Sequence, residues 1–267
     1  MKAFVLQTPG VDQNIRDDAS DVYDRACAVL SKMEYSIERI NTQDVSDRMT
    51  DSLETQYGSK NALLDAYEYV LHDKLSRAKS GDVIIIMEPW HLSMFRGLFE
   101  ANGGYFKPDI PIVEFWIDYP NSVARHRVFA TESHRAWEMG RSEILYDDEN
   151  WIVSYPYYSL IEDKGADISL CKVEGTEVFS LRFMEASRRG TPVVAPDCGA
   201  VGELIEHGKT GVLYRANKAQ AISTEWACRL NGTSIRALIV DRFSVDESVK
   251  TLKPYFTRIT DGRNNRS

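Results

Sequence analysis

Two glutamates, Glu177 and Glu185, lie on either side of an apolar, aromatic segment of seven residues. The pattern predicts a helix over residues 180–189, so Glu177 precedes the helix and Glu185 lies about a turn and a half inside it. Backbone N–H groups at a helix start suit a phosphate or diphosphate, and these would belong to Phe179, Ser180 and Leu181. The chemistry indicated at this position is anion binding beside two carboxylates.

The two carboxylates suit the rest of such a ligand. A carboxylate inside the helix can accept hydrogen bonds from both hydroxyls of a ribose, and one in the preceding loop can accept them from a sugar. The arrangement therefore fits a nucleotide diphosphate that carries a sugar. Because the chain has 40 acidic residues, two solvated charges would give the same spacing. The surrounding elements must decide between the two interpretations.

Short aliphatic runs alternate with helical patterns along the chain, which is typical of a parallel α/β sheet. We predict strands at residues 2–8, 35–40, 82–89, 110–120, 126–133, 150–158, 166–172, 191–196 and 210–215. We predict helices at residues 20–33, 60–80, 92–102, 134–140, 180–189, 217–230 and 244–259. Ligands of such sheets bind beyond the carboxyl ends of the strands, where Glu177 and the helix start would lie.

Other residues with useful chemistry lie at or just beyond the ends of predicted strands. Asp118 could orient or deprotonate an acceptor hydroxyl, and a structural turn carboxylate explains it equally well. Gly10 could let the chain pass close to an acceptor or to phosphates, or simply form a turn. His91 is a candidate acceptor contact.

Composition limits the class of protein. A chain of 267 residues, 43% apolar and 27% charged, is typical of a globular protein with a sizeable core. It has no apolar run long enough to cross a bilayer, and the apolar stretch at its N-terminus is too short for a signal peptide. The four cysteines lack a paired spacing, which argues against disulfides or zinc and favours a reducing cytoplasm.

A formal net charge of −8 disfavours a surface covered with basic residues that bind nucleic acid. A local basic strip could still contact phosphates, and its candidates are Arg125, His126, Arg127, Arg135 and Arg141. Among these, Arg127 is the residue we assign to the acceptor side. The sequence has no Asp-x-Asp motif beside a predicted strand, so we expect no metal site.

Residues 166–213 read "ADISLCKVEGTEVFSLRFMEASRRGTPVVAPDCGAVGELIEHGKTGVL". This stretch combines Glu177, Glu185-Ala186, the run "GTPVV", Gly199, the run "ELI" from Glu203, and a glycine-rich turn. It resembles the donor-binding half of retaining GT-B glycosyltransferases of the glycogen-synthase and sucrose-synthase-like group. Residues 113–137, "VEFWIDYPNSVARHRVFATESHRAW", resemble the acceptor domain of some bacterial and phage members.

The resemblance implies an α/β, GT-B-like fold in which two Rossmann-like domains face a cleft. The expected domains are residues 1–150 on the acceptor side, a shortened donor domain at 151–240, and a returning helix with a polar tail at 241–267. It implies a metal-independent, retaining transfer of a hexose from a nucleotide-diphosphate sugar, such as a UDP-sugar, to an acceptor hydroxyl. No cofactor beyond this co-substrate is implied.

The same resemblance implies roles for individual residues. Glu177 would contact the donor sugar and Glu185 the ribose, while Gly199 and Glu203 belong to the donor-binding pattern. The segment that normally carries a phosphate-binding Arg and Lys is missing, and Lys164 is a candidate remnant. The alternatives are Lys172, Arg182 or an arginine of the N-terminal domain. The chain also has Ser180 and Ala200 where the family usually has glycine.

The acceptor is left open by the sequence. A compact chain with a phage-like N-terminal half suggests a hydroxymethylated pyrimidine in phage DNA, in the host cytoplasm. A small molecule, a polysaccharide or a protein are the other acceptors. A non-catalytic or partner-dependent nucleotide-sugar-binding protein is the alternative function, and an epimerase-like enzyme that hydrolyses the donor is a third. Nothing in the sequence indicates an oligomeric state.

Overall fold

A computed structural model describes residues 1–6, 16–40, 70–71, 73–87, 110–115, 126–139, 151–154, 169–170, 181–215 and 224–261. The chain divides into two compact units. The first unit comprises Met1–Val128 with Thr251–Ser267, and the second comprises Phe129–Lys250. The domain limits expected from the sequence stay a prediction.

The larger sheet includes the first strand of the chain and contains six strands in the order β2-β1-β3-β4-β5-β6. These are β1 Lys2–Leu6, β2 Ser36–Ile40, β3 Val83–Ile86, β4 Ile112–Phe115, β5 His126–Phe129 and β6 Trp151–Val153, and helix α1, Arg16–Lys32, joins β1 to β2. Every strand of the series from β2 to β5 pairs in parallel with its neighbours in that series. All four residues of β3 are buried, as expected for a strand covered on both faces.

The smaller sheet belongs to the second unit and has the parallel order β7-β8-β9. Its strands are β7 Ser169–Leu170, β8 Val193–Pro196 and β9 Gly211–Tyr214. The described chain after α1 includes the helices α2 Glu132–Met139, α3 Leu181–Arg188, α4 Val201–Leu204, α5 Thr224–Ala227, α6 Gly232–Arg242 and α7 Val245–Thr260, and residues 70–71 and 73–75 are also helical. This alternation confirms the predicted α/β class.

The core of the second unit explains the apolar residues around Glu185. Phe183 and Met184 of α3 pack in one cluster with Val193 and Ala195 of β8 and with Ile239 and Phe243. Helix α3 ends at Arg188, and Gly190 in the turn that follows has a φ of +76°. A side chain at Gly190 would also place its Cβ 2.7 Å from the carbonyl oxygen of Gly232. Only glycine allows both this conformation and this close approach.

Helix α6 is absent from the sequence prediction, which assigns no element to residues 231–243. The side chain of Asn231 accepts hydrogen bonds from the N–H groups of Thr233 and Ser234, at 2.9 and 3.1 Å. Asn231 is therefore the N-cap of α6. Only Ile235 and Ile239 of this helix are buried, so it lacks the wide apolar stripe by which helices are found in a sequence.

Helix α7 begins and ends within a residue of the predicted limits of 244 and 259. Phe256 packs edge-on against Tyr35 and Phe115 of the first unit, with ring centroids 6.0 and 6.3 Å apart. Burial of these rings holds the last turns of the helix in the core of the first unit. Across the described ranges, no helix has the length and apolar character that crossing a bilayer requires.

Candidate functional site

Glu185 lies on the first turns of α3, which connects β7 to β8. Because β7 and β8 are parallel, the start of this crossover helix lies toward the carboxyl ends of the strands. The side chain of Glu185 is exposed, whereas Met184 and Ala186 beside it are buried. Among the residues that the structure describes, none binds its carboxylate. The structure thus leaves a solvent-accessible carboxylate at the position that the sequence assigns to a ribose.

Gly199 lies at the same edge of the smaller sheet, in the turn between β8 and α4. Its φ is +52°, a left-handed conformation that glycine adopts at little cost. The turn is anchored by the N–H of Asp197, which donates to the carbonyl of Tyr214 at 2.7 Å, and by the N–H of Val201, which donates to Cys198. Gly199 is exposed, so backbone is accessible to a ligand at this edge.

Glu203, the third donor-side candidate in the described part, binds the start of α2. Its two carboxylate oxygens accept hydrogen bonds from the N–H groups of Glu132 and Ser133, at 2.7 and 2.6 Å. The hydroxyl of Ser133 donates to the same carboxylate. A negative side chain at unpaired N–H groups is stabilised by the helix dipole. This geometry fixes the turn that follows β5, a role the sequence gives no sign of.

Replacing Glu203 by alanine is expected to lower the free energy of unfolding by about 1–3 kcal/mol, because two N–H groups and a hydroxyl lose a charged acceptor. Thermal or urea unfolding of the purified variant measures this. Glu206→Ala is the matched control, since within the described ranges the side chain of Glu206 forms only an exposed pair with Lys209, and the substitution keeps its backbone hydrogen bonds. Its expected loss is below about 1 kcal/mol. Equal losses in both variants would contradict the capping role.

Arg127 does not lie on a surface. Its guanidinium Nε is 2.7 Å from the carboxylate of Glu114, and the two side chains are 3% and 1% exposed. The two residues face each other in the register of β4 and β5. Burial and this ion pair do not support the expected contact of Arg127 with an acceptor phosphate, because only 3% of its side chain is exposed. Neighbouring His126 is also buried and packs against Tyr255.

The remaining site predictions lie outside the described residues. These are Glu177, Asp118, Phe179, Ser180, Lys164, Gly10 and His91. Leu181 is the first residue of α3, so the helix start is where the sequence places it. The described part of the candidate donor site therefore consists of the α3 start, Glu185, Gly199 and Glu203.

Residues 158–231 match the family model described as "Glycosyl transferases group 1". The matched segment contains α3, β8, α4 and β9 with all of the described donor-site candidates. A sequence comparison with curated proteins finds no match.

Solved structures match nearly the whole chain. Anabaena HepE in complex with UDP-glucose aligns with a TM-score of 0.63 and 12% identity, over 97% of this chain and 100% of that chain. The apo form of the lipopolysaccharide outer core galactosyltransferase WaaB aligns with a TM-score of 0.55 and 13% identity, over 98% and 99%. At such identities the likeness shows the fold, which is the α/β fold of GT-B glycosyltransferases predicted from the sequence.

Proposed function

We propose that this protein is a retaining, metal-independent glycosyltransferase that moves a sugar from a nucleotide diphosphate, such as a UDP-sugar, to an acceptor hydroxyl. The observation that carries the proposal is the placement of Glu185. An exposed carboxylate follows a helix start at the carboxyl edge of a parallel sheet, inside the segment that matches the group 1 family model. The complex of HepE with UDP-glucose adds support from a protein of the same fold.

In this proposal each donor-side group takes one part of the ligand. Glu185 accepts the ribose hydroxyls, and the N–H groups at residues 179–181 receive the diphosphate with the helix dipole behind them. Glu177 binds the sugar, and Gly199 lets backbone approach the donor. Lys164 supplies positive charge to the leaving diphosphate, and stabilisation of that charge lowers the barrier to transfer. Glu203 serves the site by holding the start of α2 rather than by further contacts of its own.

On the acceptor side, Asp118 orients or deprotonates the acceptor hydroxyl, while Gly10 and His91 line its approach. The acceptor proposed first for testing is a hydroxymethylated pyrimidine in DNA. The charge distribution gives this acceptor little support, because Arg127 and His126 are buried and Arg135 pairs with Glu132 at 2.9 Å. Sugars and other small hydroxyl compounds therefore belong in the same acceptor screen.

The ribose contact of Glu185 is tested by donor binding. We expect one nucleotide sugar of a panel to raise the melting temperature of the wild type, and Glu185→Ala to weaken its binding about 10- to 100-fold. This corresponds to the loss of a charged acceptor worth about 1.5–3 kcal/mol. Calorimetric titration with the selected nucleotide sugar measures the dissociation constants.

Asp241→Ala is the matched control for this titration, because Asp241 is an exposed acid of the same unit and lies on α6. We expect it to bind the donor as the wild type does. A donor bound equally well by Glu185→Ala would remove Glu185 from the site. Absence of binding by the wild type for the whole panel would overturn the proposed function.

A further inference from the structure

A cavity of about 570 Å³ lies at the end of the second unit opposite to Glu185 and Gly199. One wall is the turn between α3 and β8, with Arg189, Gly190 and Pro192, and the other is the start of α6 with the residues before it. It therefore lies at the amino end of β8, whereas the candidate donor site lies at the carboxyl ends of the strands. Its volume is that of a pocket for a small molecule.

The cavity carries positive charge. Arg189 and Arg236 both line it, and no acidic residue does. Within the described ranges neither guanidinium forms an ion pair with a carboxylate. Two unneutralised arginines on one cavity contrast with the formal net charge of −8 for the chain. This arrangement favours an anionic ligand.

The two guanidiniums are also incompletely hydrogen-bonded. The Nε atoms of Arg189 and Arg236 are buried, and no described group accepts a hydrogen bond from either. A buried, charged N–H group without an acceptor is costly, so such groups are normally satisfied by a ligand or by water. The guanidinium of Arg236 is held in place, because its Nη2 donates a hydrogen bond to the carbonyl of Arg189 at 2.8 Å.

The backbone around the cavity is tightly held. A Cβ built on Gly190 would lie 2.7 Å from the carbonyl oxygen of Gly232, and one built on Gly232 would lie 2.7 Å from that of Gly190. A side chain at Gly190 or at Gly232 would therefore force the two walls of the cavity apart. The same Cβ on Gly190 would lie 3.0 Å from Nε of Arg236, so the absence of a side chain there also leaves room for the guanidinium.

From these observations we propose that the cavity between Arg189 and Arg236 binds the phosphate group of a small phosphorylated molecule, at a site separate from the donor site. A phosphate dianion matches two guanidinium charges and offers acceptor oxygens to the buried Nε groups. The hydroxyl of Thr233 and the apolar surfaces of Pro192 and Leu230 line the remaining space for the body of the molecule. The proposal does not depend on the nucleotide-sugar function.

Cys228 provides a local probe because it lines the cavity and its side chain is exposed. The experiment measures the rate of iodoacetamide labelling of Cys228 by peptide mass spectrometry, at constant ionic strength. Inorganic phosphate, pyrophosphate and a hexose phosphate are the added probes. We expect at least one of them to slow the labelling about tenfold at a concentration about ten times its Kd. Cys27 is the internal control, because it is buried and should label slowly with or without the probes. Burial raises the pKa of its thiol, against a smaller opposing effect of Arg39.

Variants assign the protection to the arginines. Arg236→Gln and, separately, Arg189→Gln should abolish the protection, while Arg229→Gln, on an exposed residue outside the lining, should keep it. Circular dichroism identifies a variant that fails to fold, and the other variant then carries the test. The labelling is repeated with UDP in excess, so that any donor site is filled first.

Protection that persists with UDP and disappears in the arginine variants is the expected result. Unchanged labelling of Cys228 with all three probes would overturn the proposal, and so would protection that UDP abolishes. Protection by duplex DNA alone would also overturn it, because the ligand would then be a polymer backbone. A failure to bind any nucleotide sugar would leave these results unaffected, so the two proposals fail separately.

Discussion

Replacing Arg127 by methionine is expected to lower the free energy of unfolding by about 3–5 kcal/mol, the loss typical of breaking a buried ion pair from one side. The carboxyl group of Glu114 is 1% exposed and would lose the guanidinium that lies 2.7 Å away. Arg127→Met stays folded only if the free energy of unfolding of the wild type exceeds this loss, as is ordinary for a protein of this size. Urea unfolding followed by circular dichroism measures the difference.

The double variant Glu114→Met with Arg127→Met separates the charge from the packing. Two apolar side chains of similar length remove both charges from the buried row of β4 and β5, and such replacements are often neutral or stabilising. We therefore expect the double variant to be more stable than Arg127→Met. A single variant within about 1 kcal/mol of the wild type would contradict the buried pair.

Replacing Gly211 by alanine is expected to have an effect of similar size in the second unit, a loss of about 3 kcal/mol or more. The new Cβ would lie 2.2 Å from the carbonyl oxygen of Val193 and 2.9 Å from the side chain of Ile205. Gly211 is the register partner of Val193, so the clash can be relieved only by separating β9 from β8. Differential scanning calorimetry measures the change in melting temperature.

Gly202→Ala is the matched control for this clash. Its Cβ would lie 3.0 Å from a carboxylate oxygen of Asp197, an exposed side chain that can move away. Gly202 also lies inside α4, where alanine is the better helix former. We expect this variant to be as stable as the wild type or slightly more stable. Equal behaviour of the two alanine variants would contradict the close approach at Gly211.

Strands β3 and β8 were predictable because each lies in a continuous apolar run. The run around Val83–Ile86 and the run at residues 193–196 are buried along their full length, as a sheet covered on both faces requires. Helix α3 was predictable because Phe183 and Met184 recur with Ala186 and Ser187 on its buried side. These signals depend on neighbours in sequence.

Features that depend on distant partners were not predictable. Arg127 looked like a surface cation, and only the register with Glu114 of the neighbouring strand shows that it is buried. Glu203 looked like a ligand contact, and its hydrogen bonds go to N–H groups about 70 positions earlier in the chain. Helix α6 was missed for a different, local reason, because only two of its residues are buried. For Arg127 and Glu203 a tertiary contact decides the role.

Sugar transfer from a nucleotide diphosphate is tested by measuring release of the nucleotide. The protein is incubated with the nucleotide sugar that stabilises it most, with and without the acceptor panel, and free nucleoside diphosphate and the glycosylated product are measured. We predict release that depends on acceptor, a product with the anomeric configuration of the donor, and loss of both signals in Glu177→Gln. Donor binding without any release, or release that Glu177→Gln leaves unchanged, would contradict the account.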